Sequence, residues 1–220
     1  MAQGAADIGD NDARYEKRTL YIAKEPRADE DKRIIPPLAH GVHCLSSGML
    51  VDEGQAVIWR GPMVHSLVRQ FLSDVDWGEL DYLFLDLPPG TGDVQLTVAQ
   101  DLDVSGAVIV STPQDVALLD SRKSISFCRE IKIPLIGVVE NMSGLLRPHC
   151  GKEIDLFKTG GGERIAGEMK VLFLGRVPLD PLMVMCGDEG RPFVETHPDS
   201  RVTAAFADIA GAWEKQLGCK

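Results

Sequence analysis

Short apolar runs that alternate with helical patterns constrain the fold of this 220-residue chain more than any other feature. The candidate strands are residues 42–46, 82–86, 106–111, 135–140 and 171–176, and the candidate helices are residues 61–74, 114–131 and 200–217. Several of these strands contain a short continuous apolar run, which is typical of parallel strands buried on both faces of a sheet. The alternation predicts an α/β fold with a doubly wound, mostly parallel sheet and helices on both faces.

Composition separates the start of the chain from the rest. Fifteen of the first 33 residues are charged, with both signs mixed, so we predict a poorly ordered segment at 1–33 and a single domain at 34–220. No apolar run approaches the roughly 18 residues of a membrane span, and the charged start predicts a cytoplasmic protein. The net charge of −10 disfavours nucleic acid and anionic membranes as partners.

The five cysteines are scattered and odd in number, which argues against a disulfide framework. They are Cys44, Cys128, Cys150, Cys186 and Cys219. Cys128 falls in a predicted helix with Ile125 and Ile131 nearby and is expected in the core.

The predicted strand 82–86 ends in Asp86, which is followed by Pro88, Gly90, Thr91 and Gly92. An acid at the carboxyl end of a parallel strand lies at the sheet edge where ligands bind, and a carboxylate there can hold Mg²⁺ directly or through water. Glycines after it let backbone N–H groups approach a phosphate oxygen closely. The string predicts one half of a phosphate site, although a tight strand-to-helix turn without a ligand would also use these residues.

Motifs along residues 34–210 resemble the Mrp/ApbC group of P-loop ATPases, iron–sulfur cluster carriers related to MinD and the nitrogenase iron protein. The matching strings, in the order of that family, are Ile58-Trp59-Arg60-Gly61-Pro62-Met63, Asp76-Trp77-Gly78, Leu80-Asp81-Tyr82, the segment from Asp86 to Asp93, Thr112-Pro113-Gln114-Asp115-Val116-Ala117, Val139-Glu140-Asn141-Met142-Ser143, Gly160-Gly161-Gly162-Glu163 and Val177-Pro178-Leu179-Asp180. Several motifs in one order are far more specific than any one alone.

This resemblance implies ATP with Mg²⁺ as the ligand and assigns residues to it. Asp86 matches the catalytic acid that holds Mg²⁺ through water. The other implied nucleotide contacts are Pro88, Gly90, Thr91 and Gly92 in a switch that senses the γ-phosphate, Asn141 reading the adenine base, and Pro178 and Asp180 lining the base pocket. From the residues alone, Asn141 could equally be a turn residue at a strand end.

The resemblance also implies a [4Fe–4S] cluster that bridges a dimer, because family members carry a C-x-x-C pair after the Glu-Asn-Met-Ser segment. Here the second position is Cys150, but the first is Arg147, which places a fixed positive charge where a thiolate should be. A symmetric dimer would supply two of the four thiolates. The expected partners are a second copy or an intact homologue, and apo iron–sulfur client proteins.

The first half of the phosphate site does not appear in the sequence, which contains no G-x-x-x-x-G-K-[ST]. Without that loop's amides and lysine, we expect ATP binding by this chain alone to be weak or absent. The strand that feeds the loop is also central in this fold, so residues 18–23 could act as a substitute strand, or the chain is truncated or needs a partner. The glycines at 160–162 are expected to form a helix-entry loop.

Three functions remain open at this point. The first is an iron–sulfur cluster carrier with ATP-gated transfer. The second is a non-catalytic subunit that dimerises with an intact homologue, which the missing loop and Arg147 favour. The third is a MinD/ParA-like positioning ATPase, which the acidic charge and the lack of a basic face on the C-terminal helix disfavour.

Overall fold

The computed structural model describes residues 4–7, 26–46, 49, 61–88, 90–146 and 153–218. Its strands are β1 Gly4–Asp7, β2 Arg27–Ala28, β3 Ile34–Ile35, β4 Leu38–Ala39, β5 Val42–Leu45, β6 Phe84–Asp86, β7 Ala107–Ser111, β8 Leu135–Glu140, β9 Leu145–Leu146, β10 Glu153–Ile154 and β11 Phe173–Arg176. Its helices are α1 Gly61–Ser73, α2 Asp93–Asp101, α3 Asp115–Glu130, α4 Gly161–Glu168, α5 Pro181–Asp188, α6 Phe193–Thr196 and α7 Arg201–Leu217. All five predicted strands and all three predicted helices are present, to within two residues at each end.

The chain folds as two compact units, residues 1–101 with 185–192 and residues 102–184 with 193–220. The first unit contains a sheet in the order β4-β5-β1-β6, and the second contains a sheet in the order β11-β8-β7. All pairs in these sheets are parallel except β4 with β5. The predicted α/β fold with a mostly parallel sheet is therefore confirmed.

Strand β1 takes the central position in the sheet of the first unit. It pairs in parallel with β5 on one side and with β6 on the other, so that Ala5 lies between Cys44 and Phe84. Residues 18–23, one of the alternatives considered for this position, lie outside the described residues, and Gly4–Asp7 occupies it. The segment 1–33 thus contributes both β1 and β2, while the domain boundary at residue 34 stays a prediction.

Burial on both faces of every strand is not observed. In the second unit Val110 on β7 is 61% exposed, and in the first unit Phe84 on β6 is 44% exposed. These side chains are exposed because β7 and β6 are edge strands of their sheets among the described residues, and fewer neighbours cover an edge strand.

Helices cover both faces of the sheet in the second unit. Ile109, Val138 and Phe173 lie side by side on three strands and pack against a core formed with α3 and α4. On the opposite face, Gly175 pairs with Val139 and lies directly under Ile209 of α7. Successive strand residues point to opposite faces, which is why one sheet can bury two separate helix layers.

The carboxylate of Glu140 joins the end of β8 to the start of α4. The side chain is fully buried, and its oxygens accept hydrogen bonds from Gly160 N–H (2.9 Å), Gly162 N–H (2.5 Å) and Ser143 Oγ–H (2.5 Å). Arg176 Nε lies 3.9 Å from the same carboxylate. A buried charge is stable only when its lone pairs are satisfied, and these donors satisfy them.

This network explains the glycine run at 160–162. A Cβ on Gly162 would lie 2.9 Å from the Cβ of Glu140, and a Cβ on Gly161 would lie 2.7 Å from the carbonyl oxygen of Pro113. The run is a helix-entry loop, as predicted, and two of its amides are already bonded to Glu140. It is therefore not a second phosphate cradle.

We expect the substitution Glu140→Gln to lower the free energy of unfolding by about 1–3 kcal/mol, because an amide nitrogen would then face backbone N–H donors. Urea unfolding followed by circular dichroism measures this. The matched control is Glu163→Gln, since Glu163 is exposed and pairs with Arg176, and it should cost at most about 1 kcal/mol. Equal losses for the two variants would contradict the role given to Glu140.

Candidate functional site

The Asp86 carboxyl group lies at the carboxyl end of β6, as the sequence predicts. In the register of the sheet, Asp86 stands beside Asp7 of β1, so two acidic positions meet at this edge. The residue as a whole is exposed, yet partial burial of its carboxyl group raises the pKa of Asp86 above its ordinary value. Burial raises the cost of ionising this carboxyl group, and a bound cation would offset that cost.

The loop after Asp86 is held by one side chain that the sequence analysis did not single out. Gln95 Nε2–H donates to the carbonyl oxygen of Pro88 (2.6 Å), and Gly92 N–H donates to Gln95 Oε1 (3.0 Å). Between them, Gly90 has a φ of 109°, which favours glycine. Gly90, Thr91 and Gly92 are exposed, so the loop is open to a ligand.

A sequence signal for Gln95 did exist. Gly92 directly precedes the first residue of α2, and Gln95 is the third residue of that helix. Glutamine at the third helical position can reach back to the amide of the residue before the helix. The signal passes unnoticed because the partner position holds glycine instead of the serine or threonine that usually marks this motif.

In the second unit, Asn141 follows the last residue of β8. Its N–H donates to the carbonyl oxygen of Ser111 (2.7 Å), and its Oδ1 accepts the N–H of Met142 (2.9 Å). Met142 has a φ of 54°, a left-handed conformation that is uncommon for a bulky residue. Backbone hydrogen bonds of Asn141 and Ser143, on either side of Met142, hold this conformation and fix the position of Asn141.

The loop of Pro178 and Asp180 runs beside the Asn141 segment. Ser143 N–H donates to the carbonyl oxygen of Val177 (3.0 Å), and Leu179 N–H donates to that of Gly144 (2.8 Å). Asp180 Oδ1 accepts the N–H of Leu182 (2.9 Å) and thereby caps α5. The structure therefore brings together the three residues predicted for the base pocket, whereas Asp86 and its loop belong to the first unit. Their contact with a base stays a prediction.

The predicted cluster ligand Cys150, together with Arg147, lies outside the described residues. Three other cysteines, Cys44, Cys128 and Cys186, are buried and form no disulfide among the described residues. Burial raises the pKa of the Cys128 thiol, in keeping with its predicted core position. Among the described residues no group of three or more His, Cys, Asp or Glu side chains could hold a metal ion.

The described part of the chain also includes no helix that is both long and apolar enough to cross a membrane.

Comparison with known proteins bears on this arrangement. A profile of the family described as "NUBPL iron-transfer P-loop NTPase" matches residues 16–213. The chain is 47% identical over 193 residues to an iron-sulfur cluster carrier protein of Deinococcus radiodurans, covering 88% of this chain and 55% of that protein. It is 43% identical over 191 residues to the "iron-sulfur protein required for NADH dehydrogenase, mitochondrial" of Arabidopsis thaliana, covering 87% of this chain and 61% of that protein. This chain thus spans little more than half the length of these curated relatives.

Solved structures give the same fold. A nucleotide-binding protein from Archaeoglobus fulgidus, solved in complex with ADP, superposes with a TM-score of 0.71 at 33% identity, covering 86% of this chain and 73% of that one. The MinD protein of Pyrococcus horikoshii, solved with Mg-ADP, superposes with a TM-score of 0.61 at 19% identity, covering 99% and 85%. With the profile match across nearly the whole sequence, these findings show that the chain belongs to the family of NUBPL iron-transfer P-loop NTPases.

Proposed function

We propose that this protein is an iron–sulfur cluster carrier that transfers its cargo to apo client proteins under the control of ATP. The observation that carries the proposal is the family match over residues 16–213, together with high identity to proteins named as cluster carriers. Because the chain spans little more than half of those relatives, the transfer activity, the clients and ATP control are all inferred from them.

The cargo in this proposal is a [4Fe–4S] cluster bound between two chains. Cys150 is the thiolate in the matching position, and thiolates suit iron–sulfur clusters because they are soft, charged donors. A homodimer offers two such thiolates. A heterodimer with an intact homologue offers three, since Arg147 stands where that homologue has its first cysteine.

The nucleotide in this proposal is ATP with Mg²⁺. Asp86 fits the ion, because carboxylate oxygens are the ligands that Mg²⁺ prefers and because a cation would offset the cost of ionising this partly buried carboxyl group. Bound Mg²⁺ would neutralise charge on the phosphates. Gly90, Thr91 and Gly92 would face the phosphates, and Asn141, Pro178 and Asp180 would face the base.

A second candidate is a non-catalytic subunit that dimerises with an intact homologue. Two sequence observations favour it, the absence of G-x-x-x-x-G-K-[ST] from these 220 residues and the presence of Arg147. A third, less favoured candidate is a MinD/ParA-like positioning ATPase; its solved representatives fall below 25% identity and support the fold alone. The cytoplasmic location stays a prediction from the sequence.

Cysteine variants test cluster binding. We expect Cys150→Ser to lose most of the iron and sulfide that the wild-type chain retains after anaerobic reconstitution, because it removes the thiolate. Arg147→Cys should retain more than the wild type and transfer it to an apo ferredoxin, since it restores four thiolates per homodimer. Cys219→Ser is the control. Unchanged iron content in Cys150→Ser would refute the assigned ligand, and iron in the wild type only after adding an intact homologue would favour the second candidate.

The variant Asp86→Asn tests the nucleotide site. We expect it to weaken calorimetric binding of Mg-ATP by roughly tenfold, about 1.4 kcal/mol, because an amide is a poorer Mg²⁺ ligand than a carboxylate. Asp81→Asn, at an exposed position just before β6, should bind as the wild type does. Equal, measurable Mg-ATP binding by both variants would remove Asp86 from the site, whereas no binding by the wild type would agree with the weak or absent binding expected without the P-loop.

Stability against pH gives a second readout for Asp86. The folded-state pKa of this group is raised by burial, so its ionised form costs stability above that pKa, and the cost vanishes below its ordinary value of 3.8. Asp86→Asn should therefore be slightly more stable than the wild type at pH 7 and equally stable at pH 3. Thermal unfolding at the two pH values measures this, and a variant less stable at pH 7 would contradict it.

A further inference from the structure

The two hydrogen bonds that Gln95 makes to Pro88 and Gly92, which we call the Gln95 clamp, join both ends of the loop after Asp86. The amide group donates to the carbonyl oxygen of Pro88 at 2.6 Å and accepts from the N–H of Gly92 at 3.0 Å. One half-buried side chain thus fixes the span of the glycine-rich loop.

Helix capping accounts for only one of these bonds. Glutamine at the third helical position commonly accepts the amide of the residue before the helix, which is the bond to Gly92. Such a cap would leave Nε2 facing solvent. Here Nε2–H reaches back to Pro88, seven positions earlier, and the shorter of the two bonds is the one that capping does not require.

Helix α2, which carries Gln95, is itself fixed on α1. His65 Nδ1 and Thr97 Oγ1 are hydrogen-bonded at 2.7 Å, and Arg69 donates two hydrogen bonds to the carboxylate of Asp101, at 2.6 and 2.9 Å. The two contacts are one turn apart on both helices, so they resist both sliding and rotation. With α2 held on α1, the bonds from Gln95 tie the described ends of the loop to a fixed helix.

Gly92 N–H is a backbone donor of the kind that binds phosphate oxygens. A backbone amide after a glycine turn can donate to a phosphate oxygen, and a bond to a charged oxygen is stronger than one to a neutral amide oxygen. In this structure Gly92 N–H donates to Gln95 Oε1, which lies where the phosphate oxygen would accept that hydrogen bond.

We propose that Gln95 is a positioning residue that keeps the loop in its ligand-free arrangement, and that Gly92 N–H passes from Gln95 Oε1 to a phosphate oxygen when a nucleotide binds. This inference rests on the proposed nucleotide site. The bond to Pro88 keeps Gln95 close to the loop during the exchange, so the loop returns to the same arrangement when the nucleotide leaves. Gln95 therefore sets a cost on nucleotide binding without contacting the nucleotide.

The test compares Gln95→Leu with Gln100→Leu, which changes an exposed glutamine on the same helix. In the free protein, Gln95→Leu should speed hydrogen exchange of the Gly92 amide by roughly two- to tenfold, the value of one net hydrogen bond, and Gln100→Leu should not. Exchange is followed by NMR. An unchanged rate for Gly92 in Gln95→Leu would overturn the clamp itself.

Mg-ATP calorimetry on the same variants tests the exchange of partners. Gln95→Leu should bind roughly two- to tenfold tighter than the wild type, because no bond to Gly92 has to be broken. Gln95→Glu should bind more weakly, since a carboxylate holds the amide more strongly and repels phosphate. A structural role alone would shift stability in both variants without these opposite changes in affinity.

The outcomes separate this inference from the function on which it rests. If the wild type binds Mg-ATP and Gln95→Leu binds no tighter, the positioning role fails and the nucleotide site stands. If neither the wild type nor Gln95→Leu binds Mg-ATP, both the nucleotide site and the exchange of Gly92 are overturned. Binding by Gln95→Leu alone would support both.

Discussion

The buried carboxylate of Glu140 is the interaction on which the second unit depends. A charge without water must have each lone pair met by a donor, and those donors come from the turn after β8 and from the entry to α4. The position of one side chain therefore fixes two loops at once. The Asn141 segment is one of these loops. The residue predicted to contact a base is therefore held in place by the fully buried side chain of Glu140.

Sequence reasoning succeeded where local pattern and tertiary structure agree. The strand at 135–140 matches β8 in full, because a continuous apolar run is bounded by Pro134 on one side and by a turn-favouring Asn141 on the other. The family motifs pointed to residues that the structure places at the ends of β6 and β8, and their contact with a nucleotide stays a prediction. The carboxyl ends of parallel strands lie at the edge of the sheet where ligands bind. Residues there must therefore suit a turn, a ligand or both.

Prediction failed where the stabilising partner is distant or small. Gly4–Asp7 has no apolar pattern and little intrinsic preference for a strand, so the open edges of β5 and β6 decide its conformation. Gln95 looks like any glutamine on a helix surface until the loop that it bonds is seen. In both cases the sequence shows the residue, but only the tertiary fold brings beside it the backbone groups that it bonds.

The central place of β1 has a consequence for the order in which the first unit assembles. Its partners lie about 40 and 80 residues further along the chain, and parallel pairing allows no local hairpin to start the sheet. Closing such loops is entropically costly and slow, so contacts of this range form late. During synthesis β1 and β5 are made well before β6, so the side of β1 that pairs with β6 has no strand to pair with until Asp86 has been made.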